Sequence, residues 1–408
     1  MEHKKILLIE DDGMKYLLKI ESENVVSYLL PITIWLSVFN TLFTGLTYGD
    51  ILLGLLIFTC LLTDKKSKAR KIETSLIQIL FFHIILSLIS LSFAPMVNIA
   101  SVINRMVKFV YYVVATIILL PRINIKKTIS VLESMTFMTG VGLLIQYIIY
   151  YYFGIINNII KIPFLNYGYD YTTSAFNTIF RPSSFFLEPS HLTHFVIPVV
   201  IIELFRKDTD RAIYKAAIFS LVCLLTTSGT AIFLLSFVWI IYFGSKFITS
   251  LKSFISLVIT MFILLTIIQI GIHRIPQLDF AVSRLLDFGS VVYTGRLNAG
   301  KVLAASLSGY ERFIGLGFGN LNDFVYLNSV YYLFYSGGYI LITGWLVFFI
   351  KQFLRGDIIN KVICISFLAL CFASRIFLSM YLLYYLALVI LQNDKLMYYS
   401  VNSNFRSQ

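Results

Sequence analysis

The side chains best suited to chemistry fall in one run, FRPSSFFLEPSHLTHF, from Phe180 to Phe195. Glu188, His191 and His194 recur every third residue, so on a helix they spread over about 120° of one face. A carboxylate or an imidazole placed there can take the proton of an attacking hydroxyl. The same residues also have quieter uses: Glu188 can cap the amides of its own helix, and the histidines can hydrogen-bond across a helix interface. The spacing is not HExxH, and one ExxH unit without a second copy cannot complete a metal site, so neither a metal nor any other cofactor is expected. Pro189 suits the first turn of a helix, where a missing N–H costs nothing. A helix is therefore expected to begin near Glu188, with its free amides and positive dipole end facing the extracytoplasmic surface and Arg181 seven residues upstream, an arrangement suited to an anion.

Basic residues form a second group. Arg181, Arg274, Arg284, Arg296, Lys301 and Arg312 lie in or beside two long polar stretches, residues 154–188 and 273–328. Guanidinium forks bind phosphate in bidentate fashion, and several together suit a diphosphate. Alternatively they pair with Asp279, Asp287, Glu311 and Asp323, or with lipid phosphates. Tyr167, Tyr169 and Tyr171 offer rings for stacking on sugars or for an interfacial belt. Gly315, Gly317 and Gly319 in GLGFG follow no strand, which argues against a nucleotide site and for a tight reversal into the next helix. Ser336, Gly337 and Gly338 read as small residues for close helix packing.

The elements that must position these residues are membrane helices. Of 408 residues, 58% are hydrophobic and 13% charged, more apolar surface than one water-soluble core buries. Apolar runs near 25–44, 46–63, 74–94, 106–121, 131–153, 189–205, 212–227, 230–244, 253–272, 329–350, 362–374 and 376–391 predict an all-α polytopic integral membrane protein of about twelve spans, between about ten and fourteen. With the N-terminus placed inside, 23 of the 33 Lys and Arg fall on the inner side and 10 on the outer. That asymmetry puts both termini in the cytoplasm and both long polar stretches outside it, and it accounts for the net charge of +12 without nucleic acid. The expected organisation is a cytoplasmic extension over 1–24, one transmembrane domain over 25–391 and a cytoplasmic tail over 392–408. Residues 1–24 lack the cleavage site of a signal peptide, and the four cysteines, Cys60, Cys223, Cys364 and Cys371, form no CxxC pair.

The RPSSFFLEPSHL string, the TSGT turn at Thr227–Thr230, the TGR of Thr294–Arg296 and the GLGFGN run together resemble the O-antigen polymerase family (Wzy-type), within the wider O-antigen ligase and polymerase superfamily. The motifs cover roughly residues 170–345. The resemblance implies a GT-C-like membrane glycosyltransferase in a bacterial cytoplasmic membrane. Such an enzyme moves a growing glycan from undecaprenyl diphosphate to the non-reducing end of another lipid-linked repeat unit, and a chain-length regulator is a further expected partner. It uses no sugar nucleotide, because the energy is stored in the lipid-diphosphate linkage. Two positions depart from relatives: Leu327, not a histidine, precedes Asn328, and no arginine follows the serine of the TSGT turn.

Under this reading Glu188 or His191 is the catalytic base. Arg181, Arg296 and Arg312, with Arg274 second, hold the diphosphate, while His194 and Tyr293 contact substrate. An inverting, metal-independent single displacement is expected. The alternatives are an O-antigen ligase and a non-enzymatic flippase or exporter. The flippase would place charges along mid-helix positions, and these are almost uncharged here.

Overall fold

The computed structural model describes residues 24–43, 45–63, 74–94, 99–163, 165, 180–206, 211–247, 300–321 and 327–390, with single helical positions at 255, 259 and 266. The apolar run at 253–272 apart from those positions, the C-terminal tail, all but the last residue of the N-terminal extension and much of both long polar stretches lie outside them. So do Tyr167, Tyr169, Tyr171, Arg274, Arg284, Tyr293 and Arg296.

The chain is all-α, with the apolar helices of a membrane protein. In order they are α1 (Asn24–Leu36), α2 (Tyr48–Thr63), α3 (Thr74–Phe93), α4 (Ile99–Leu119), α5 (Ile125–Phe153), α6 (Pro189–Phe205), α7 (Ala212–Leu225), α8 (Gly229–Phe247), α9 (Ser329–Arg355), α10 (Ile358–Ala373) and α11 (Tyr381–Ile390). Four of these, α3, α4, α5 and α9, are long and apolar enough to cross a bilayer on their own count; the other seven are shorter apolar helices. Among the described residues the β-pairing is one isolated bridge between Asn40 and Thr47, in the turn from α1 to α2.

Helix α6 is the centre of the bundle. Every residue from Leu192 to Phe205 is buried, and α7, α8, α10 and α5 pack around it. Outer helices instead show apolar side chains on one side, such as Phe137, Met138, Leu144 and Ile148 of α5. That pattern is inverted relative to a soluble protein and is the one a bilayer requires.

The alternating helix ends sort into two sets. One end gathers Asn24, Arg122, Glu133, Arg206 and Lys215, with Arg206 3.5 Å from Glu133 and 3.3 Å from Glu203, and Lys215 paired to Glu133. At that end Gln352 of α9 also reaches Ser75 of α3. The opposite end gathers the starts of α6, α9 and α11 and the end of α10.

Helix α9 is not one uninterrupted rod. Gly337 and Gly338 leave helical geometry (φ −143°, ψ 16° and φ 59°, ψ −158°), the second in a region open essentially to glycine alone. The break disturbs the helical bonding of the Tyr335 and Ser336 carbonyls, and the Leu316 and Gly317 amides donate to them at 2.8 and 2.9 Å. The small residues Ser336–Gly338 thus serve close packing, but against the backbone of residues 312–317 and at a break in α9 rather than along an unbroken helix. The glycines on both sides exist so that one backbone can lie on another: a Cβ on Gly315 would stand 2.4 Å from the Ser336 carbonyl carbon, and one on Gly338 2.3 Å from that of Phe313. Phe318, fully buried between the GLGFG glycines, then inserts among Phe109, His83 and Tyr332, with ring centroids 5.1, 4.6 and 5.1 Å away. Irregular backbone among apolar helices persists only where protein covers it, and these contacts supply the cover.

Candidate functional site

The loop that delivers the first motif is built before α6 begins. Ser183 N–H donates to the Asn158 carbonyl at 2.9 Å, and Ile160 N–H to the Ser184 carbonyl at 2.8 Å. Ser184 itself sits at φ 54°, a left-handed conformation that costs a side-chain-bearing residue about 1–2 kcal/mol. Its amide is taken by Gln146 Oε1 at 2.8 Å, and Phe180 stacks on Tyr150 at 4.1 Å. The Arg181 amide donates to Asn158 Oδ1 at 2.6 Å, so this half-buried arginine leaves a fixed backbone.

Helix α6 starts where Pro189 suggests, with Glu188 in extended geometry at the N-cap. The Glu188 carboxylate makes no cap bond to its helix amides; Oε2 accepts from the Ser190 hydroxyl at 3.0 Å. The two histidine rings lie 6.2 Å apart. His194 is buried, and its Nε2 lies 3.0 Å from Ser374 Oγ, at the end of α10. His191 is half-buried, and its buried Nδ1 has no hydrogen-bond partner among the described residues. The histidines thus divide between the two roles open to them: His194 bridges helices, while His191 keeps its imidazole uncommitted.

Helix α11 holds this end of α6 by three tyrosine hydroxyls. Tyr381 donates to the His191 carbonyl at 3.0 Å, Tyr384 to the Phe195 carbonyl at 3.0 Å and Tyr385 to the His194 carbonyl at 3.2 Å. The Tyr381 ring also stands edge-on to His194 at 5.4 Å.

From Ser374 the site continues to residues the motif search did not include. Arg375 donates through Nε to the Leu327 carbonyl at 3.1 Å. Asn328 caps α9 by accepting from Tyr331 N–H at 2.9 Å, and its Nδ2 donates to the Phe372 carbonyl at 2.8 Å. Ser329 donates from both its amide and its hydroxyl to the Ser374 carbonyl. Tyr332, one turn into α9, lies within electrostatic reach of both Arg375 and Arg105. Arg105, near the start of α4, donates to the carbonyls of Gly319 and Leu321 at 3.0 and 2.9 Å. Arg375 and Arg105 thus bind backbone carbonyls on either side of the chain that leads into the first turn of α9, and Ser374 joins that turn to His194.

Arg312 is placed elsewhere. It lies on the short turn Glu311–Ile314, which packs against α9 and α3 at the glycine break, and its side chain is exposed. That level is about 13 Å along α9 from Ser329 at 1.5 Å per residue. Arg105 and Arg375 were legible only as two of the outer-side basic residues. The clue was their position at the edge of apolar runs, where a charged group needs a partner or a task.

Among the described residues no group of three metal-ligating side chains occurs. With His194 Nε2 at Ser374 and Glu188 Oε2 at Ser190, the ExxH pattern is spent on hydrogen bonds rather than gathered on one point. The chain matches no family model and no curated protein.

Proposed function

We propose that the protein is a membrane glycosyltransferase of the polysaccharide-polymerase type, acting on glycan repeat units linked to undecaprenyl diphosphate. The observation that carries this reading is the juxtaposition, at one end of the bundle, of His191, whose buried Nδ1 has no partner among the described residues, with Arg375 at the start of α9, linked through His194 and Ser374. A base and a diphosphate cradle are what glycosyl transfer from a lipid diphosphate needs.

In the proposed step an acceptor hydroxyl oxygen attacks the anomeric carbon as the bond from that carbon to the diphosphate oxygen breaks. The electron pair leaves with the diphosphate, and the hydroxyl proton passes to His191, or to Glu188 beside it. Arg375 and Arg105 stabilise the departing charge, with Arg181 at the loop and with Arg296 and Arg274 as further proposed contacts. Tyr293 and His194 complete the substrate contacts. One displacement inverts the anomeric centre. The membrane is proposed to be the bacterial cytoplasmic membrane, with both termini inside, the site end outward and a chain-length regulator as partner.

The deciding experiment is to delete the chain in its host and examine the lipid carrier. Single repeat units accumulating on lipid, with long chains absent, is the expected result. Finished chains accumulating on the carrier would replace this reading with a ligase, and repeat units trapped on the inner face would replace it with an exporter.

A further inference from the structure

Residues 300–314 carry charge and rings in a pattern the transfer reaction does not use. Ser308 and Glu311 tie this turn together: the Ser308 amide and hydroxyl donate to Glu311 Oε2 at 2.9 and 3.2 Å. Glu311 is thereby occupied. Arg312 donates through Nε to the carbonyl of buried Leu307 at 2.8 Å, which fixes the stem and turns the fork outward. No salt bridge holds that guanidinium among the described residues, and the exposed Lys301 makes none there either.

Around this cation stand rings that a water-facing surface would not display. Tyr310 and Phe313 are 55% and 58% exposed, beside Phe93 at 63% and Tyr339 at 55%. Tyr310 meets Phe93 at 6.1 Å and Phe313 meets Tyr339 at 6.2 Å, so the four form two pairs flanking the arginine. The Arg312–Phe313 backbone rests directly on Gly338, which makes the edge a fixed one. An outward cation among exposed rings matches the headgroup boundary of a bilayer, where phosphate meets acyl chain.

We propose that residues 300–314 form a lipid-docking edge. Arg312 holds the phosphate of a leaflet lipid, whose chains lie along Phe93, Tyr310, Phe313 and Tyr339. The edge does not depend on the polymerase reading: it requires only that the chain sit in a bilayer.

The test uses the purified full-length protein, depleted of lipid, and measures by native mass spectrometry how much phosphatidylglycerol it retains. Diacylglycerol of the same chains and water-soluble glycerol phosphate serve as comparison probes. Retention of phosphatidylglycerol is expected, with neither comparison probe retained or competing. Arg312→Gln is expected to lower retention about tenfold, as for loss of a charge-assisted hydrogen bond. Arg312→Lys should fall between, since it keeps the charge but not the fork. Unchanged retention in Arg312→Gln overturns the proposal, and so does glycerol phosphate competing as well as the lipid. If Arg312→Gln does not fold, Arg312→Lys and Phe313→Ser test the two halves of the edge separately, and wild-type retention by both overturns it. Glycan transfer is not read in any arm, so failure here and failure of the polymerase reading are separable.

Discussion

Pro198 and Tyr385 complete one another across two helices. A proline in mid-helix has no N–H for the carbonyl four residues back, which here is that of His194, and the Tyr385 hydroxyl donates to that oxygen at 3.2 Å. Tyr385→Phe should orphan a buried carbonyl and cost about 1–3 kcal/mol. Pro198→Ala restores an amide to the helix, so in that background the same tyrosine change should cost much less. A double-mutant cycle by thermal unfolding in detergent measures the coupling. Equal losses in both backgrounds would mean that the hydroxyl is not filling the gap left by the proline.

The glycine seat gives a sharper contrast. Gly338→Ala introduces a Cβ into the Phe313 carbonyl group at a backbone conformation only glycine adopts readily, so folding yield should collapse. Gly154 also has positive φ, at 66°, but a Cβ there meets nothing within 4 Å. Gly154→Ala should therefore cost only the left-handed strain, about 1–2 kcal/mol. Similar yields of monodisperse protein from the two variants would contradict the seating of the GLGFG segment against α9.

What the sequence made legible, and what it did not, follows from where each determinant resides. The start of α6 is written locally, in Glu188–Pro189, and its end comes at Arg206; both boundaries agree with the apolar run. Helix α4 begins at Ile99, well before the expected 106, because Arg105 enters the helix by donating to Gly319 and Leu321, carbonyls more than two hundred residues away in the chain. Helix α11 begins late, at Tyr381, because a 3₁₀ turn over Ile376–Leu378 intervenes and the Ile376 amide is drawn to Ser329 Oγ. The histidines could be picked out by type and spacing. Their division into one bridging and one uncommitted ring is decided by Ser374, which no periodicity within α6 reveals.

At the opposite end of α6, the fully buried Glu203 faces Arg206 at 3.3 Å, and Arg206 also meets Glu133. Removing the cation leaves a buried carboxyl group without its direct ion pair, which typically costs about 3–5 kcal/mol. Arg206→Ala should therefore be severely destabilising. Glu203→Gln should be mild, because Arg206 retains Glu133. The order of the two unfolding midpoints checks this, and the reverse order would show that Glu203, not the arginine, anchors the cluster.

Chelation tests the chemistry assigned to the α6 motif. The hydrogen bonds of His194 and Glu188 leave no set of three ligands on one point among the described residues, so transfer should proceed unchanged in excess chelator. In vitro chain formation from lipid-linked repeat units is the measurement. Loss of activity that a divalent ion restores would require the histidines to rearrange into a metal site.

The identity of the base is decided by comparing Glu188→Gln with His191→Ala. Glu188 makes no side-chain cap bond, so an amide in its place removes charge and basicity without removing a cap, and the Ser190 hydroxyl still has an oxygen to meet. His191 contributes its backbone carbonyl to Tyr381, a contact that survives in His191→Ala, so stability should change little there as well. Loss of general-base assistance typically costs about 10² to 10⁴ in rate. The expected outcome is that His191→Ala shows this loss, with a pH profile that no longer follows the wild type, while Glu188→Gln loses less. If instead Glu188→Gln is the crippled variant and His191→Ala turns over normally, the proton goes to the carboxylate, and the uncommitted imidazole serves to bind the acceptor sugar. Two well-folded variants with near-normal turnover would remove both residues from the reaction and leave the arginine group at α9 as a binding site in search of another base.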